Sequence, residues 1–274
     1  MSVERRISQA FTYLILLVLL LLTFYPFILT LQTSLKDNPQ FYHHFWTPTL
    51  PFHFENYIAA FNQVDKYIVN SLIVSGVSAL GVIVFGALTA YAFARLRIIG
   101  RETLYYLVIG LMMVPPVLTL IPTFILVKDL GLADNLLGLI LPYIASGQVI
   151  AIFIMRGFFA GLPQEIFDAA LVDGASDWQI FWHVALPLIR PVLATIAILQ
   201  ILVTWNDYVW PAVVLTNDNL RTLTLGLVFF QSRHITYWGP LMAGYVIASI
   251  PLLILFLFTM RYFIEGLTTG ALKA

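Results

Sequence analysis

Hydrophobic residues in this chain gather in six runs, at residues 10–31, 70–94, 103–127, 136–159, 191–215 and 241–264. Each is close to the roughly 20 residues that cross the hydrocarbon core of a bilayer. The pattern predicts an all-α, polytopic membrane protein with six transmembrane helices, a single domain over residues 1–274. The first run is longer than a signal-peptide core, and no Ala-x-Ala-like site follows it before Lys36. It is therefore read as a span, kinked at Pro26. The second run carries Gly76, Gly81, Gly86 and Ala90, small residues whose spacing lets helices approach closely in lipid. The third is expected to break at Pro115, Pro116 and Pro122, and the fourth carries Pro142 and Gly147. Residues 32–66 are polar and aromatic, and Pro39, Pro48 and Pro51 argue against regular structure there.

The pattern fails in one long stretch. Residues 162–190 lie between two apolar runs yet hold Glu165, Asp168, Asp173, Asp177 and His183, a charge density that keeps them out of the hydrocarbon. The punctuation is that of two short helices. Pro163 suits a first helical position, with Glu165 in the first turn where the helix dipole favours an acid. Gly174 stands where a helix ends in a left-handed residue. Ser176 and Gln179 form a Ser-x-x-Gln capping box that starts a second helix, and Pro187 stops or kinks it. Trp178, Phe181, Val184 and Ala185 then share one apolar stripe. A pair of helices outside the bilayer with such a stripe reads as a docking surface. The rival reading, a helix lying on lipid headgroups, is weakened because these helices carry acids and hardly any Lys or Arg.

Composition agrees with a membrane protein: 60% of residues are hydrophobic, 10% are charged, and the mean hydropathy is +0.90. A soluble domain carries about 25% charged residues. The net charge is zero and no basic tract is present, which removes nucleic acid as a partner. With no cysteine, disulfides, thiolate metal sites and a Cys nucleophile are excluded. His43, His44 and His53 lack helical spacing and a carboxylate set, so no metal is expected. No phosphate-cradling loop, zinc-hydrolase motif or serine-hydrolase elbow occurs, and no span offers axial haem ligands. The chain is expected to be no enzyme and to bind no cofactor. Charge also orients it. Arg5, Arg6, Arg95, Arg97, Arg101, Arg156, Arg190, Arg261 and Lys273 fall on one face of a six-span chain, against Lys36, Lys66, Lys128, Arg221 and Arg233 on the other. The termini and the 162–190 loop are thus expected to be cytoplasmic.

The spans carry uncharged polarity at helical spacing. Gln200, Thr204 and Asp207 stand at i, i+4 and i+7 on the fifth. Gln148 on the fourth, Thr119 and Thr123 on the third, and Tyr245 and Ser249 on the sixth join them as candidates for a route taken by a neutral, hydroxyl-rich solute. The alternative is that these groups hydrogen-bond neighbouring helices.

The loop sequence DAALVDGASDWQIFWHVALPLIRP resembles the EAA loop of binding-protein-dependent ABC transporter permeases. Ala169, Ala170, Asp173, Gly174, Ala175, Phe181, Leu186 and Pro187 match its pattern, and Asp168 stands where that family has Glu. VNSLIVS, AYAFARLRIIGR, MMVPP, WNDYVWP and FIEGLTTGALKA are similar to the carbohydrate-type permeases, so the likeness spans nearly the whole chain. The resemblance implies import of a sugar or polyol across a prokaryotic inner membrane. It implies four kinds of neighbour: a second permease, an ATPase pair holding ATP and Mg²⁺, an extracytoplasmic solute-binding protein and the lipid bilayer. The EAA loop would dock on the ATPase, with the C-terminal segment reaching toward it. A secondary transporter or channel driven by an ion gradient is the alternative, though no inverted repeat is visible and only Asp207 is plainly intramembrane.

Overall fold

The computed structural model describes residues 3–229 and 236–271, and the side chains of residues 9, 11–228 and 236–260. The side chains of Arg5, Arg6, Arg233, Arg261 and Lys273 and of the C-terminal segment, which enter the charge and docking expectations, lie outside that description. Among the described residues every regular element is helical. The order begins α1 (Val3–Ser34), α2 (Asn38–His43), α3 (Glu55–Arg95), α4 (Arg101–Gly110), α5 (Pro116–Asp129) and α6 (Leu137–Ala160). It continues with α7 (Gln164–Val172), α8 (Asp177–Ile180), a π-helical turn (Phe181–Ala185) and α9 (Leu186–Leu188). Last come α10 (Arg190–Asn206), α11 (Val209–Val214), α12 (Leu223–Phe229) and α13 (Trp238–Ala271).

Four helices, α1, α3, α6 and α13, are long and apolar enough to cross a membrane, and two bent pairs bring the spans to six if each pair counts as one. The third expected span is such a pair. Arg101–Met113 and Pro116–Asp129 meet at 101° across Val114 and Pro115. The residue before a proline is pushed into extended backbone, and with Pro115 and Pro116 adjacent this happens at Val114 (ψ 113°) and again at Pro115 (ψ 131°). Pro122, expected to break the span as well, sits inside a continuous α5. The fifth span also differs from expectation: α10 stops at Asn206, and Asp207 and Tyr208 separate it from α11.

Contacts divide the chain into two compact units, Met1–Asp65 with Leu227–Pro251 and Lys66–Gly226 with Leu252–Ala274. In the first, the apolar length of α1 is exposed from Phe11 to Ile28, as a lipid-facing or partner-facing helix requires. Pro26 lies within a continuous helix. The expectation of irregular structure over 32–66 is corrected in two places. Asp37 and Gln40 form a full capping box that starts α2, and Pro39 occupies a first-turn position, where its missing N–H is no loss. From Glu55 the chain is already in α3, which at 41 residues is about 61 Å long, twice the hydrocarbon thickness. Lys36, 1% exposed, donates from Nζ to the carbonyls of His44 and Phe45 at 2.7 and 3.0 Å, and Asn56 donates to the carbonyls of Ser34 and Lys36. Burial pushes the Lys36 ammonium below its ordinary value.

In the second unit α3, α6 and α10 pack closely. Gly147 of α6 faces α10 and α3 so tightly that a Cβ there would lie 2.6 Å from both Gln200 Oε1 and Val82 Cγ2. Gly86 meets Met155 and Ala151, Gly81 meets Ile144, and Ala90 is fully buried. The small-residue spacing of the second run is used as expected, except at Gly76, where a Cβ would meet nothing.

Candidate functional site

The 162–190 stretch folds as its punctuation requires. Pro163 is the residue before α7 and not its first member, a shift of one position. At the far end Gly174 takes φ 83°, as expected. Its N–H donates to the Leu171 carbonyl and that of Ala175 to the Ala170 carbonyl, both at 3.0 Å. These two crossed bonds are a Schellman close, which requires a left-handed residue after the helix and favours a small apolar contact across the turn. Asp173, Gly174 and Ala175 are thus cap, left-handed residue and apolar contact in sequence. Ser176 and Gln179 then exchange side-chain and backbone bonds in the expected capping box.

The second helix differs from the expected stripe. Phe181 and Ala185 are buried and Val184 is half-buried, but Trp178 is 60% exposed and Ile180 is buried instead. A π-helical turn over Phe181–Ala185 follows, wound more widely than the α-helical spacing on which the expected stripe rests. Pro187 follows it; a proline lacks the N–H that would bond a carbonyl one turn back, and wider local winding accommodates the loss. At Ile189 the chain then bends by 75° into α10. Phe167 of α7, with Ile180, Phe181, Ala185 and Ile189, closes one core with Tyr91 of α3, Met155 and Phe159 of α6 and Val192 of α10. The other side of the loop is open. Glu165, Asp168, Ala169, Leu171, Val172, Asp173 and Asp177 are exposed, an acidic face with apolar residues at its tip.

Arg95, valued in the sequence only as a positive charge, is the residue that holds the loop. Its Nε and Nη2 donate to the Phe159 carbonyl at 2.9 and 2.6 Å, Nη2 donates to the Leu162 carbonyl at 2.5 Å, and Nη1 donates to Gln164 Oε1 at 2.8 Å. The guanidinium lies 4.1 Å from the Phe167 ring centroid. Gln164 passes the contact on, its Nε2 donating to Asp168 at 2.9 Å. The Phe159 carbonyl is among the last of α6, past the regular bonds of the helix, where the Leu162 N–H reaches it at 3.4 Å, and it lies at the negative end of the helix dipole, where a cation is favoured. Nearby, Arg156 of α6 bonds both carboxylate oxygens of Glu102 at 2.7 Å and stacks over Tyr105 at 3.8 Å, fixing α4 to α6. Motif spacing offers no signal for either arginine; each acts across a long sequence separation.

The polar positions of the spans divide by environment. Gln200 and Thr204 are buried; Gln200 Nε2 donates to the Tyr143 carbonyl at 3.3 Å and the Thr204 hydroxyl donates to the Gln200 carbonyl at 2.9 Å. Asp207 accepts from the Tyr143 hydroxyl at 2.7 Å and from the Val209 amide at 2.9 Å, so it caps α11 while gripping α6. Gln148 reaches the Gly81 carbonyl at 3.5 Å, and its Oε1 is buried without a partner in the chain. Thr119 is exposed and Thr123 half-buried. Tyr245 and Ser249, in the first unit, are exposed. The structure therefore joins Gln200, Thr204 and Asp207 through Tyr143, and leaves Thr119, Tyr245 and Ser249 exposed, the Thr119 and Ser249 hydroxyls donating to the Pro116 and Val246 carbonyls at 2.9 and 2.7 Å.

Helices long and apolar enough to cross a membrane, with a charged helical loop between two of them, are the features of a multi-pass membrane protein, and comparison with known proteins specifies the kind. Residues 82–268 match the family described as binding-protein-dependent transport system inner membrane component. The chain belongs to that family and is a multi-pass inner-membrane permease. It is 31% identical to a probable ABC transporter permease of Bacillus subtilis, over 97% of this chain and 89% of that one. It is 35% identical to the arabinooligosaccharides transport system permease AraQ of the same organism, over 80% and 79%. A solved bacterial ABC transporter involved in import of the acidic polysaccharide alginate matches with a TM-score of 0.80 at 25% identity, covering 96% of this chain and 99% of that chain.

Proposed function

We propose that this chain is one permease subunit of an ABC importer for a sugar or oligosaccharide, driven by a separate ATPase pair that holds the ATP and Mg²⁺. The observation that carries this reading is the 162–190 loop, buried on the bundle side and presenting an exposed acidic and apolar surface on the other. Asp168, Ala169, Ala170, Asp173, Gly174, Ala175, Phe181 and Pro187 are assigned to coupling: Phe181 and the Schellman turn set the loop's shape, and its open face meets the ATPase. The termini and this loop are placed in the cytoplasm on the charge bias of the connecting segments. A second permease and an extracytoplasmic solute-binding protein complete the assembly. Supporting the solute class, relatives include permeases named for arabinooligosaccharides, for diacetylchitobiose and for melibiose, raffinose and stachyose.

Thr119, Thr123, Gln148, Gln200, Thr204, Asp207, Tyr245 and Ser249 are proposed to serve the solute route. In the present conformation Gln200, Thr204 and Asp207 spend their hydrogen bonds within the chain, while Thr119, Tyr245 and Ser249 are exposed, and the Thr119 and Ser249 oxygens, whose protons bond local carbonyls, keep acceptor capacity for a neutral, hydroxyl-rich solute. Uptake of radiolabelled sugars into cells with and without the gene tests the function. Purified alone, the chain is expected to hydrolyse no ATP; robust hydrolysis by the isolated chain overturns the proposal.

A further inference from the structure

The loop leaves the bundle by two different joints. On one side, Arg95 at the end of α3 meets the Phe159 and Leu162 carbonyls, the Gln164 amide and the face of Phe167, so three elements converge on one side chain. A guanidinium suits this place because it is planar, offers five donors in a fixed fork and stacks on a ring; an ammonium does not combine these. On the other side, the chain passes from α9 to α10 through the 75° bend at Ile189 (φ −102°, ψ 12°), spanned by local bonds such as Val192 N–H to the Ile189 carbonyl at 2.9 Å. The first joint ties groups more than 60 residues apart in sequence; the second ties near neighbours.

We infer that Arg95 is a positioning residue that makes α7, the end of α6 and the end of α3 move as one body, so that the loop turns against α10 at Ile189. This rests on the docking reading above: a partner pushing on the loop would move α3 and α6 directly and α10 through a hinge. Gln164 and Asp168 extend the fixed body to the first motif residue.

The chain has no cysteine, so paired nitroxide labels can be placed without background. Ile99 is fully exposed beside the end of α3, Val172 is 87% exposed at the tip of α7, and Leu202 is 39% exposed on α10. Distances between labels at Ile99→Cys and Val172→Cys, and at Val172→Cys and Leu202→Cys, are measured in lipid nanodiscs. The full complex with the cognate ATPase subunit is used, without nucleotide and with a non-hydrolysable ATP analogue plus Mg²⁺. The first pair is expected to give one narrow distribution that nucleotide does not shift, while the second pair shifts. Arg95→Met is expected to broaden the first distribution at least twofold and make it respond to nucleotide, with Arg95→Lys between. Phe167→Leu, which removes only the ring, is expected to broaden it less and serves if Arg95→Met does not insert. An unchanged first distribution in both Arg95→Met and Phe167→Leu overturns the inference, as does a wild-type first pair that shifts as far as the second. If no ATPase subunit binds the wild-type chain, the docking reading fails instead. The nucleotide-free comparison of wild type with Arg95→Met still decides the clamp.

Discussion

The two ends of α6 lie about 36 Å apart, at 1.5 Å for each of its 24 residues, and are finished in opposite ways. At the end near Leu137 a carboxylate gathers amides. Asp134 accepts from the Thr216 and Asn217 N–H groups, at 2.5 and 2.8 Å, and from the Thr216 hydroxyl. Around it Asn70 donates to the Asn219 and Arg221 carbonyls, Tyr67 bonds Asp218, and Lys66 bonds Asn219. Connecting segments there are tied to one another. At the end near Ala160 a cation gathers carbonyls, and the loop it fixes turns its acids outward. Each choice of charge suits the helix dipole. The difference is in what remains: one end spends its polar groups within the chain, and the other keeps an exposed acidic, apolar-tipped surface, the one proposed to meet the ATPase.

The harshest way to break that contrast is Gly174→Val. A β-branched residue in the left-handed region is strained by about 1–2 kcal/mol. The strain falls on the two crossed bonds that aim the loop. Space is not the issue, because a Cβ at Gly174 meets nothing within 4 Å. The variant is expected to insert normally, to lose at least tenfold in co-purification with the ATPase subunit and to abolish uptake. Normal co-purification and uptake would show that the loop's conformation does not matter to docking.

Much of this was legible in the chain. Gly174, the Ser176–Gln179 box and the six apolar runs are local signals, and local chemistry produced them. What escaped was long-range or depended on which of several equivalent signals prevailed. Three prolines marked the third run, and only the adjacent pair bends it, because one proline inside a membrane helix is tolerated where two in succession extend the backbone. Periodicity put Gln200 and Thr204 on one face but could not say that the face is covered by Tyr143 and Gly147 of α6. Ile180, and not Trp178, joins Phe181 and Ala185 in the buried stripe, a choice set by packing against α3 and α6 that spacing alone does not carry. Arg95 looked like one basic residue among several; its role comes from carbonyls more than 60 positions away.

A change between the two ends measures the packing that joins them. Gly147→Ala places a methyl 2.6 Å from Gln200 Oε1 and Val82 Cγ2, so α6 must move off α10 or α3. Overpacking of this kind costs about 1–3 kcal/mol. Gly76→Ala, on α3 but facing open space, is the control and is expected to be neutral. Thermal unfolding in detergent should show a drop for the first alone. Equal behaviour of the two would mean that the close approach at Gly147 relaxes freely, and the contrast between the ends would then not depend on a tight shaft.

The smallest expected effect is at Asp134, and pH reveals its sign. The Thr216 hydroxyl, then the Asn217 and Thr216 amides, hold its carboxyl below the ordinary 3.8. A carboxyl whose native value is lowered adds stability that is fully present above the unfolded value and fades as pH falls through the native one. Asp134 has φ 53°, a left-handed backbone that Asn also accepts, so Asp134→Asn changes the charge without straining the turn. Asn presents one acceptor oxygen in place of two, and its amide nitrogen faces donors it cannot accept. Wild type should therefore unfold at a higher temperature than Asp134→Asn at pH 7 and pH 5, with the gap closing below pH 3.8. A gap that widens in acid would mean that the carboxylate is not what gathers the Thr216 segment, and the closed end of α6 would need another explanation.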